Sequence, residues 1–450
     1  MIALPAGFED YFRRVWDGEM VDALVCGLDE EVPVSIRINP ARLPADAWPE
    51  GGESRVPWCS EGIYLNQRPQ FTADPLLHAG AYYVQEASSM FLAHVLRQLN
   101  VSINFQKSAS TVLDLCAAPG GKSTILRSLL PPEAMLVSNE PLRQRAQVLA
   151  ENMAKWGSGN VVVTQAYAKD IARVASRDRL FAGFDLILAD VPCSGEGMMR
   201  KEDEARRQWS PQFVADCAAL QRSIVEDIWP ALRPEGFMIY STCTFNPEED
   251  ECNVEWIARE LGADIIPISV DSSWHILGDL RRHSLSAAPL TNPSSLANAD
   301  GQLSSALPFC HFIPGLVRGE GFFCALLQKH GESDEESKNA HFIDSIAKNL
   351  TVLPTDLLDS PEGNASSSKR AGKGSDAAIP RVEISLVDAF RYLQREAIAL
   401  PSDTPRGIVQ LCYHGQRLGL AKNIGSRANN LYPKEWRIRS GHFAPHTLFP

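Results

Sequence analysis

The chain has 450 residues, of which 44% are hydrophobic and 22% charged, and a formal net charge of −12 at pH 7. This length and balance predict a globular protein of about three domains and argue against a disordered chain. Apolar runs stay well short of the roughly 20 residues of a membrane-spanning helix, and the amino terminus shows no secretory pattern, so we expect a cytoplasmic protein without a membrane partner. None of the ten cysteines forms a C-x-x-C pair, and we predict no metal site.

The first hundred residues combine helical and strand-like patterns. Apolar residues repeat at helical spacing around 11–28, a strand-like run follows at 34–38, and a turn-rich stretch continues to residue 62. This mixture predicts an amino-terminal region of the α+β class over residues 1–105.

After residue 110 the pattern changes to short aliphatic runs that alternate with longer helical ones. This alternation is typical of a parallel sheet with helices on both faces. The predicted strands are residues 111–115, 134–138, 161–164, 184–189 and 237–241. A further apolar run at 321–327 predicts an edge strand after an exposed, loop-rich insertion at 284–305. The core domain then spans residues 106–329.

Residues 330–380 are polar and contain a Gly- and Ser-rich stretch, 363–374, which predicts a linker. A separate small domain is expected at 381–450. Its charge opposes that of the whole chain, because Glu435 is the one acidic residue after position 405. The basic residues there are Arg406, Arg417, Lys422, Arg427, Lys434, Arg437 and Arg439. This asymmetry indicates contacts with nucleic-acid phosphates, with a solvated basic face as the alternative.

A glycine turn joins the first predicted strand of the core domain to a helix that begins near Ser123. Gly120 and Gly121 allow the backbone to approach a ligand closely. A phosphate-binding loop would need glycine at position 116, where the chain has Cys116, so a nucleoside triphosphate is disfavoured. Glu140 follows the second strand, at about the distance where an acid meets ribose hydroxyls in doubly wound folds. Adenosine without a pyrophosphate fits this pattern, and S-adenosylmethionine is the predicted cofactor.

Two cysteines follow the ends of predicted strands. Asp190 and Cys193 come directly after the strand at 184–189, and Cys243 follows the strand at 237–241. Ligands of such sheets bind outside the carboxyl ends of the strands, so neighbouring strands would bring both thiols into one pocket. The alternative is structural, with Asp190 as a strand-end cap and Cys193 packed under a turn.

These residue types suit the methylation of carbon 5 of cytosine. A thiolate that adds to carbon 6 makes carbon 5 nucleophilic enough to take a methyl group from a sulfonium about 3 Å away. An isolated thiol has a pKa of about 8.5, so a basic group such as Lys122 would assist its ionisation. Asp190 can hydrogen-bond the exocyclic amine and ring nitrogen 3 of cytosine, which would favour cytosine over uracil. The residues alone do not decide which thiol attacks.

The ordered motifs resemble those of the Sun-type RNA (cytosine-5) methyltransferases, which use S-adenosylmethionine on a class I, Rossmann-like methyltransferase sheet. The similar segments are Cys116-Ala117-Ala118-Pro119-Gly120-Gly121-Lys122, Glu140, Asp190-Val191-Pro192-Cys193-Ser194-Gly195, Thr242-Cys243, Asn246-Pro247-Glu248-Glu249, and Glu251 with Asn253. The stretches 415–419 and 423–433 resemble the PUA-like extension of bacterial ribosomal-RNA members. The resemblance implies an α/β methyltransferase domain between an amino-terminal α+β RNA-binding region and a small carboxyl-terminal PUA-like α+β/β-barrel domain.

The resemblance also implies roles for single residues. In that family the cysteine that follows threonine is the nucleophile, which implies this role for Cys243. The proline-preceded cysteine assists product release, which implies that role for Cys193. The family's cofactor turn maps to residues 116–122, its ribose acid to Glu140, and its strand-end aspartate to Asp190.

Two further sites are implied less directly. The family's adenine-contacting aspartate falls on Tyr167 without a gap, and on Asp170 if the loop bulges. The candidates for phosphate contacts are Arg427, Lys434, Arg437 and Arg439. Tyr432 or Trp436 would stack on a base, with a place in the core as the alternative for each.

We therefore predict an enzyme that makes 5-methylcytosine in structured RNA, with small-subunit ribosomal RNA as the favoured substrate, through a covalent bond between Cys243 and carbon 6 of cytosine. A monomer is the expected state. A transfer RNA cytosine-5 methyltransferase with the same chemistry is the nearest alternative. A non-catalytic RNA-binding ribosome assembly factor would instead bind the cofactor without turnover.

Overall fold

The structure is a computed structural model that describes residues 3–103, 110–157, 159–179, 181–281, 295–297, 303–331, 339–356, 358, 379–439 and 444–449. An amino-terminal region, a large mixed sheet with helices on both faces, and a small carboxyl-terminal domain follow each other along the chain. Within these ranges, no helix combines the length and the apolar character needed to cross a bilayer.

The amino-terminal region begins with two helices, which are followed by a four-stranded antiparallel sheet. Its elements are α1 (Phe8–Val15), α2 (Gly18–Asp29), β1 (Val34–Ile38), β2 (Gly52–Val56), β3 (Cys59–Leu65), α3 (Pro75–His78), β4 (Tyr82–Val84) and α4 (Phe91–Ile103). The strand order is β2-β3-β1-β4. This mixture agrees with the predicted α+β class.

A buried arginine on β1 fixes this sheet to the next domain. Arg37 Nε donates to Gln85 Oε1 at 2.9 Å, and its guanidinium also donates to the hydroxyl of Thr124. The guanidinium carbon lies 4.6 Å from the centre of the Trp156 ring. The amino-terminal region is therefore held against the two helices that follow the glycine turn.

The central sheet is built by the alternating segments that the sequence predicted. Its elements are β5 (Thr111–Asp114), α5 (Gly121–Leu129), β6 (Met135–Asn139), α6 (Arg143–Trp156), β7 (Val161–Gln165), α7 (Ala168–Arg177), β8 (Phe184–Asp190), α8 (Asp203–Gln208), α9 (Pro211–Ile228), β9 (Leu232–Thr242), α10 (Glu251–Leu261), β10 (Ala263–Ile266), β11 (Ile268–Asp271), β12 (Ser295–Ala297), β13 (Leu303–Leu307), β14 (Cys310–Phe312), β15 (Phe322–Lys329), α11 (Asn339–Asn349) and β16 (Thr351–Leu353). The main order is β10-β15-β9-β8-β5-β6-β7-β16, with β14 beside β15, while β11, β13 and β12 form a separate small sheet.

Alternate residues of the inner strands enter two different apolar cores. On β5, Val112 packs into a core with α4, α5 and α6, while Leu113 packs into a core with α7, α9, α10 and α11. The five strands β9, β8, β5, β6 and β7 are parallel to one another. Burial on both faces explains why the central residues of these strands are mostly apolar. The predicted Rossmann-like α/β class is confirmed.

Two features of the sheet differ from the expectation. The run at 321–327 is not an edge strand, because β15 lies between β9 and β10 and is antiparallel to both. Six of its residues in a row are buried, as an interior position requires. In addition, the segment expected as a linker, 330–380, contributes α11 and β16, and β16 pairs with β7 at the other edge of the sheet. The whole stretch 363–374 lies outside the described residues, as does most of the insertion at 284–305.

The carboxyl-terminal domain is a small sheet covered by one helix. Its elements are β17 (Arg381–Glu383), α12 (Leu386–Leu393), β18 (Gly407–Tyr413), β19 (Gln416–Asn423) and β20 (Ala428–Asn430), and its strand order is β17-β18-β19-β20. Its apolar residues share one core with β1, β3 and α3 of the amino-terminal region. Asp74, which caps α3, also accepts a hydrogen bond from Leu448 N at 3.0 Å. The two terminal regions of the chain are thus packed together.

The aromatic candidates of this domain are placed differently from each other. Tyr432 is 1% exposed and belongs to the core, so it is not available to stack on a base. Trp436 is half-buried against Tyr432, and Lys155 Nζ lies 5.6 Å from its ring centre. Six of the basic residues have exposed side chains, namely Arg406, Lys422, Arg427, Lys434, Arg437 and Arg439.

Candidate active site

The glycine turn lies between β5 and α5, at the carboxyl edge of the parallel strands. Gly120 has φ +117°, a conformation that a side chain would strain, and α5 begins directly after it, two residues before the predicted start. Ala117 N donates to Asn139 O at 2.8 Å, and Asn139 Nδ2 donates to Leu115 O at 3.0 Å. The end of β6 therefore holds the turn in place.

Asp114, the last residue of β5, faces a cavity of about 310 Å³ beside this turn. Its Oδ2 atom accepts a hydrogen bond from Ser123 Oγ at 2.6 Å, while its buried Oδ1 atom has no partner. Burial raises the pKa of this carboxyl to about 7, and the charges of Asp190 and Glu140 act in the same direction. An unpaired buried carboxylate oxygen suits a cationic or hydroxyl-bearing ligand.

Glu140 follows β6 directly and is 1% exposed. Its Oε1 atom accepts a hydrogen bond from Leu142 N at 3.0 Å, and its Oε2 atom lies 3.3 Å from Arg145 Nη1. Arg145 also donates to Ala118 O in the glycine turn at 3.0 Å. The structure thus links Glu140 to the turn through one arginine.

Lys122 and Asp190 form an ion pair in the lining of the cavity. Lys122 Nζ lies 2.9 Å from Asp190 Oδ2, and Ser241 Oγ donates to Asp190 Oδ1 at 2.8 Å. Burial opposes the charge of Lys122, but the neighbouring carboxylate outweighs it and raises the pKa of the lysine. Both carboxylate oxygens are therefore fixed, and a half-buried cation lies beside the end of β8.

The two thiols are in contact. Cys193 Sγ and Cys243 Sγ are 3.1 Å apart. They follow β8 and β9, which are adjacent and parallel, with Asp190 opposite Ser241 in the register. The hydrogen bond with Cys243, together with burial, raises the pKa of Cys193 well above its ordinary value. Cys193 is thus held as a thiol, while Cys243 lines the same cavity as Cys116, Lys122 and Asp190.

The adenine-site candidates lie elsewhere. Tyr167 is the residue before α7 and is 60% exposed, and Asp170 in the first turn of α7 forms an ion pair with Arg173 at 3.0 Å. Both line a different cavity of about 280 Å³, together with Pro141 and residues of α11 and β16. The structure does not bring Asp170 into the cavity of the glycine turn, because a helix begins where a bulged loop would have been needed.

Sequence reasoning missed several residues of the cavity. Asp114 ends a strand in the same way as Asp190, and this parallel could have indicated it. Other parts of the cavity lining come from distant segments, with Tyr83 in β4, Gln85 directly after β4, and Lys201 and Glu320 from later loops. None of these four residues was predicted as a site residue, and the fold brings them to the cavity.

Comparison with known proteins agrees with this geometry. The family described as 16S rRNA methyltransferase RsmB/F matches residues 102–328, the N-terminal domain of 16S rRNA methyltransferase RsmF matches residues 4–87, and the methyltransferase RsmF PUA domain matches residues 380–438. The first of these covers half of the chain.

Individual relatives point the same way. Ribosomal RNA small subunit methyltransferase F of Cronobacter sakazakii is 28% identical over 98% of this chain and 97% of its own length. The protein of that name from Pectobacterium carotovorum is 32% identical over 72% of this chain and 63% of its own length. Among solved structures, a methyltransferase homologue from Pyrococcus horikoshii superimposes with a TM-score of 0.52 and 24% identity over 71% of this chain and 93% of its own, which shows a common fold. The chain belongs to the RsmB/F family of 16S rRNA methyltransferases.

Proposed function

We propose that this enzyme transfers a methyl group from S-adenosylmethionine to carbon 5 of a cytosine in small-subunit ribosomal RNA. The observation that carries the proposal is the 3.1 Å contact between Cys193 and Cys243 beside a cavity that also contains Asp190 and the glycine turn. A thiol for covalent attack, a second thiol for proton transfer and a carboxylate for base recognition are thus within one site. All of these groups come from one chain, and we propose that the enzyme acts as a monomer. We also propose a cytoplasmic location, where ribosomal RNA would be its substrate.

The residues around the turn fit the methyl donor. The unpaired Asp114 Oδ1 atom suits the cationic end of the cofactor, and Glu140 suits its ribose. Residues 116–119 and Gly121 line the cavity, where they would contact the amino acid and adenosine parts, while Gly120 lies close to Leu149 of α6. When bound there, S-adenosylmethionine supplies an activated methyl group. Tyr167 or Asp170 would contact adenine only if the cofactor extended toward their separate cavity.

The two thiols divide the remaining chemistry. Cys243, as thiolate, adds to carbon 6 of the cytosine ring, and carbon 5 then has the electron density to take the methyl group. Carbon 5 afterwards carries both a methyl group and a hydrogen. Cys193 first has to release its own thiol proton to solvent, and its thiolate then receives that hydrogen as a proton, after which the bond between Cys243 and carbon 6 breaks and the ring double bond returns. Release of the product thus needs the second sulfur.

Asp190 and Lys122 recognise the base in this proposal. The Asp190 carboxylate accepts a hydrogen bond from the exocyclic amine of cytosine, whereas the corresponding oxygen of uracil would be repelled. Lys122, held 2.9 Å from Asp190, stabilises the negative charge that forms on the ring when Cys243 adds. The exposed basic residues of the carboxyl-terminal domain supply phosphate contacts away from the cavity.

Sequencing of bisulfite-resistant cytosines tests the proposal. Cells that lack this chain should lose one 5-methylcytosine in 16S ribosomal RNA and regain it when the intact gene is restored. A site lost from a transfer RNA instead would establish the alternative substrate. A complete set of sites in the deleted cells, with cofactor binding by the purified protein, would support an assembly factor and overturn the enzyme assignment.

The pKa of Asp114 makes cofactor affinity depend on pH. At pH 6 the carboxyl is mostly neutral and at pH 8 mostly ionised, because burial raises its pKa to about 7. The anion attracts the ammonium group of S-adenosylhomocysteine, so we expect binding measured by titration calorimetry to tighten by about tenfold over this range. Asp114→Asn should bind S-adenosylhomocysteine weakly, and its affinity should not change between pH 6 and pH 8. An unchanged pH dependence in Asp114→Asn would contradict this origin.

Gly197 lies where the backbone of the Cys193 loop packs directly against the backbone of the Cys243 loop. Its N donates to Cys243 O at 2.8 Å, and a Cβ atom at this position would lie 2.9 Å from Cys243 O and 3.0 Å from Glu320 O. Backbone atoms would have to move, so we expect Gly197→Ala to lower kcat by about tenfold or more in steady-state methylation of 16S RNA. Gly159→Ala, where a Cβ meets no atom within 4 Å, is the control. Equal rates for both variants would refute the prediction.

A further inference from the structure

We propose that Glu196 and Glu249 are positioning residues that hold the two thiols in contact, each by binding the loop that carries the other thiol. The inference rests on the proposed function, since it assigns the contact a role in methyl transfer. Both carboxylates are fully buried. We call this pair the carboxylate clasp.

Glu196 lies three residues after Cys193 and binds the loop after Cys243. Its Oε2 atom accepts hydrogen bonds from Phe245 N at 2.7 Å and Asn246 N at 3.1 Å, and from the hydroxyl of Thr244. The Oε1 atom accepts one from Trp209 Nε1 at 2.9 Å and one from Asn246 Nδ2 at 3.0 Å. One side chain thus orders the backbone that follows the second thiol.

Glu249 makes the reverse connection. It lies six residues after Cys243, and its Oε2 atom accepts hydrogen bonds from Ser194 N at 3.0 Å and Gln221 Nε2 at 2.6 Å. Ser194 is the residue next to Cys193. The Oε1 atom of Glu249 accepts a hydrogen bond from Asn246 Nδ2 at 2.7 Å, so the Asn246 amide bridges both carboxylates.

The reciprocal arrangement resists separation of the loops. Moving the Cys193 loop away from the Cys243 loop would break the bonds to Phe245 N and Asn246 N and also the bond to Ser194 N. Hydrogen bonds to a carboxylate are about twice as strong as neutral ones, and they strengthen each other in a buried network. The short distance between the sulfurs is therefore a property of the clasp and not of β8 and β9 alone.

Burying the two carboxylates of the clasp costs free energy of folding, so stability alone does not explain them. The groups that donate to it are backbone amides, side-chain amides, a hydroxyl and an indole, all of them neutral. Burial raises the pKa of Glu196 and raises that of Glu249 to about 7, where the nearby Glu196 charge adds to the effect. A well-packed apolar contact would give at least as much stability as such buried charges. Retaining two carboxylates here instead fixes the direction of the loop backbones.

Chemical crosslinking measures the thiol contact without any need for activity. Diamide takes one hydrogen from each of two thiols and becomes a hydrazine, while the sulfurs form a disulfide. We expect the Cys193–Cys243 disulfide to form at least about tenfold more slowly in Glu196→Gln and Glu249→Gln than in the original protein. Peptide mass spectrometry measures the rate of its formation. Steady-state kcat on 16S RNA should fall by a similar factor, with KM for S-adenosylmethionine within about twofold.

Glu251→Gln is the matched control. Glu251 is fully buried next to the clasp, but its Oε1 atom contacts His311 Nε2 at 3.0 Å and its Oε2 atom has no hydrogen-bond partner. Crosslinking in this variant should keep its original rate even if the melting temperature falls. Trp209→Phe removes a single donor to Glu196 and should give an intermediate rate, which keeps the test valid if the glutamine variants do not fold.

Two results would overturn the proposal. Folded clasp variants, including Trp209→Phe, that crosslink as fast as the original protein would show that the strands alone position the thiols. Slow crosslinking in Glu251→Gln as well would show a general loss of packing. Failure of the proposed function is distinguishable, because then the original protein would crosslink rapidly and still not methylate RNA.

Discussion

Cys243→Ser is expected to abolish methylation of 16S RNA, with a loss of roughly 1,000-fold or more in kcat. A serine hydroxyl ionises far less readily than a thiol and is a much weaker nucleophile toward carbon 6, so the ring would not become activated. Transfer of the tritiated methyl group to RNA measures the loss.

The variant should otherwise remain intact. Cys243 lies at the edge of the cofactor cavity, and the substitution replaces sulfur by the smaller oxygen, so the affinity for S-adenosylhomocysteine and the melting temperature should stay close to the original values. Substantial methylation by Cys243→Ser would exclude covalent attack by this residue.

Cys193→Ala is expected to have the opposite effect on RNA, a stable covalent complex. The variant retains the nucleophile and the cofactor site but lacks the group placed 3.1 Å from Cys243 to accept the proton of carbon 5. The methylated adduct would form and would not resolve. A slowly migrating protein–RNA band on a denaturing gel, dependent on S-adenosylmethionine, is the measurement.

The double variant Cys193→Ala/Cys243→Ser supplies the control, since it lacks the attacking sulfur and should give no band. Multiple turnover by Cys193→Ala would overturn the division of roles between the thiols. A band that persists in the double variant would place the covalent bond on another residue.

The sequence indicated most of the sheet because its strands are buried on both faces. Runs such as 186–189 are continuously aliphatic, and the helices between the strands have helical apolar spacing, so type and order followed directly. The position of β15 beside β9 did not follow, because an antiparallel neighbour leaves no mark in the residues themselves. β16 escaped notice because it is three residues long and its side chains are not buried.

The site was predicted where it depends on topology and missed where it depends on long-range contacts. Asp190, Cys193 and Cys243 adjoin strand ends, so a parallel sheet brings them to the same edge, while the contact between the two sulfurs depends on the loops. Glu196 was not singled out, and Glu249 was noted only as part of a motif without a role, because their partners across the two loops lie about fifty positions away in the chain. The roles of all these residues stay predictions until the variants are measured.

The apolar core shared by the first and last domains determines how truncated proteins will behave. A protein that ends before β17 would leave Ile38, Leu76 and Tyr82 without the side chains that cover them, and Asp74 without Leu448 N. An exposed hydrophobic patch of this kind promotes aggregation of the truncated protein. Weak RNA binding by such a fragment would therefore report damage to its solubility as much as the loss of phosphate-binding side chains. Charge substitutions within the intact polypeptide are the cleaner way to measure what the tail contributes.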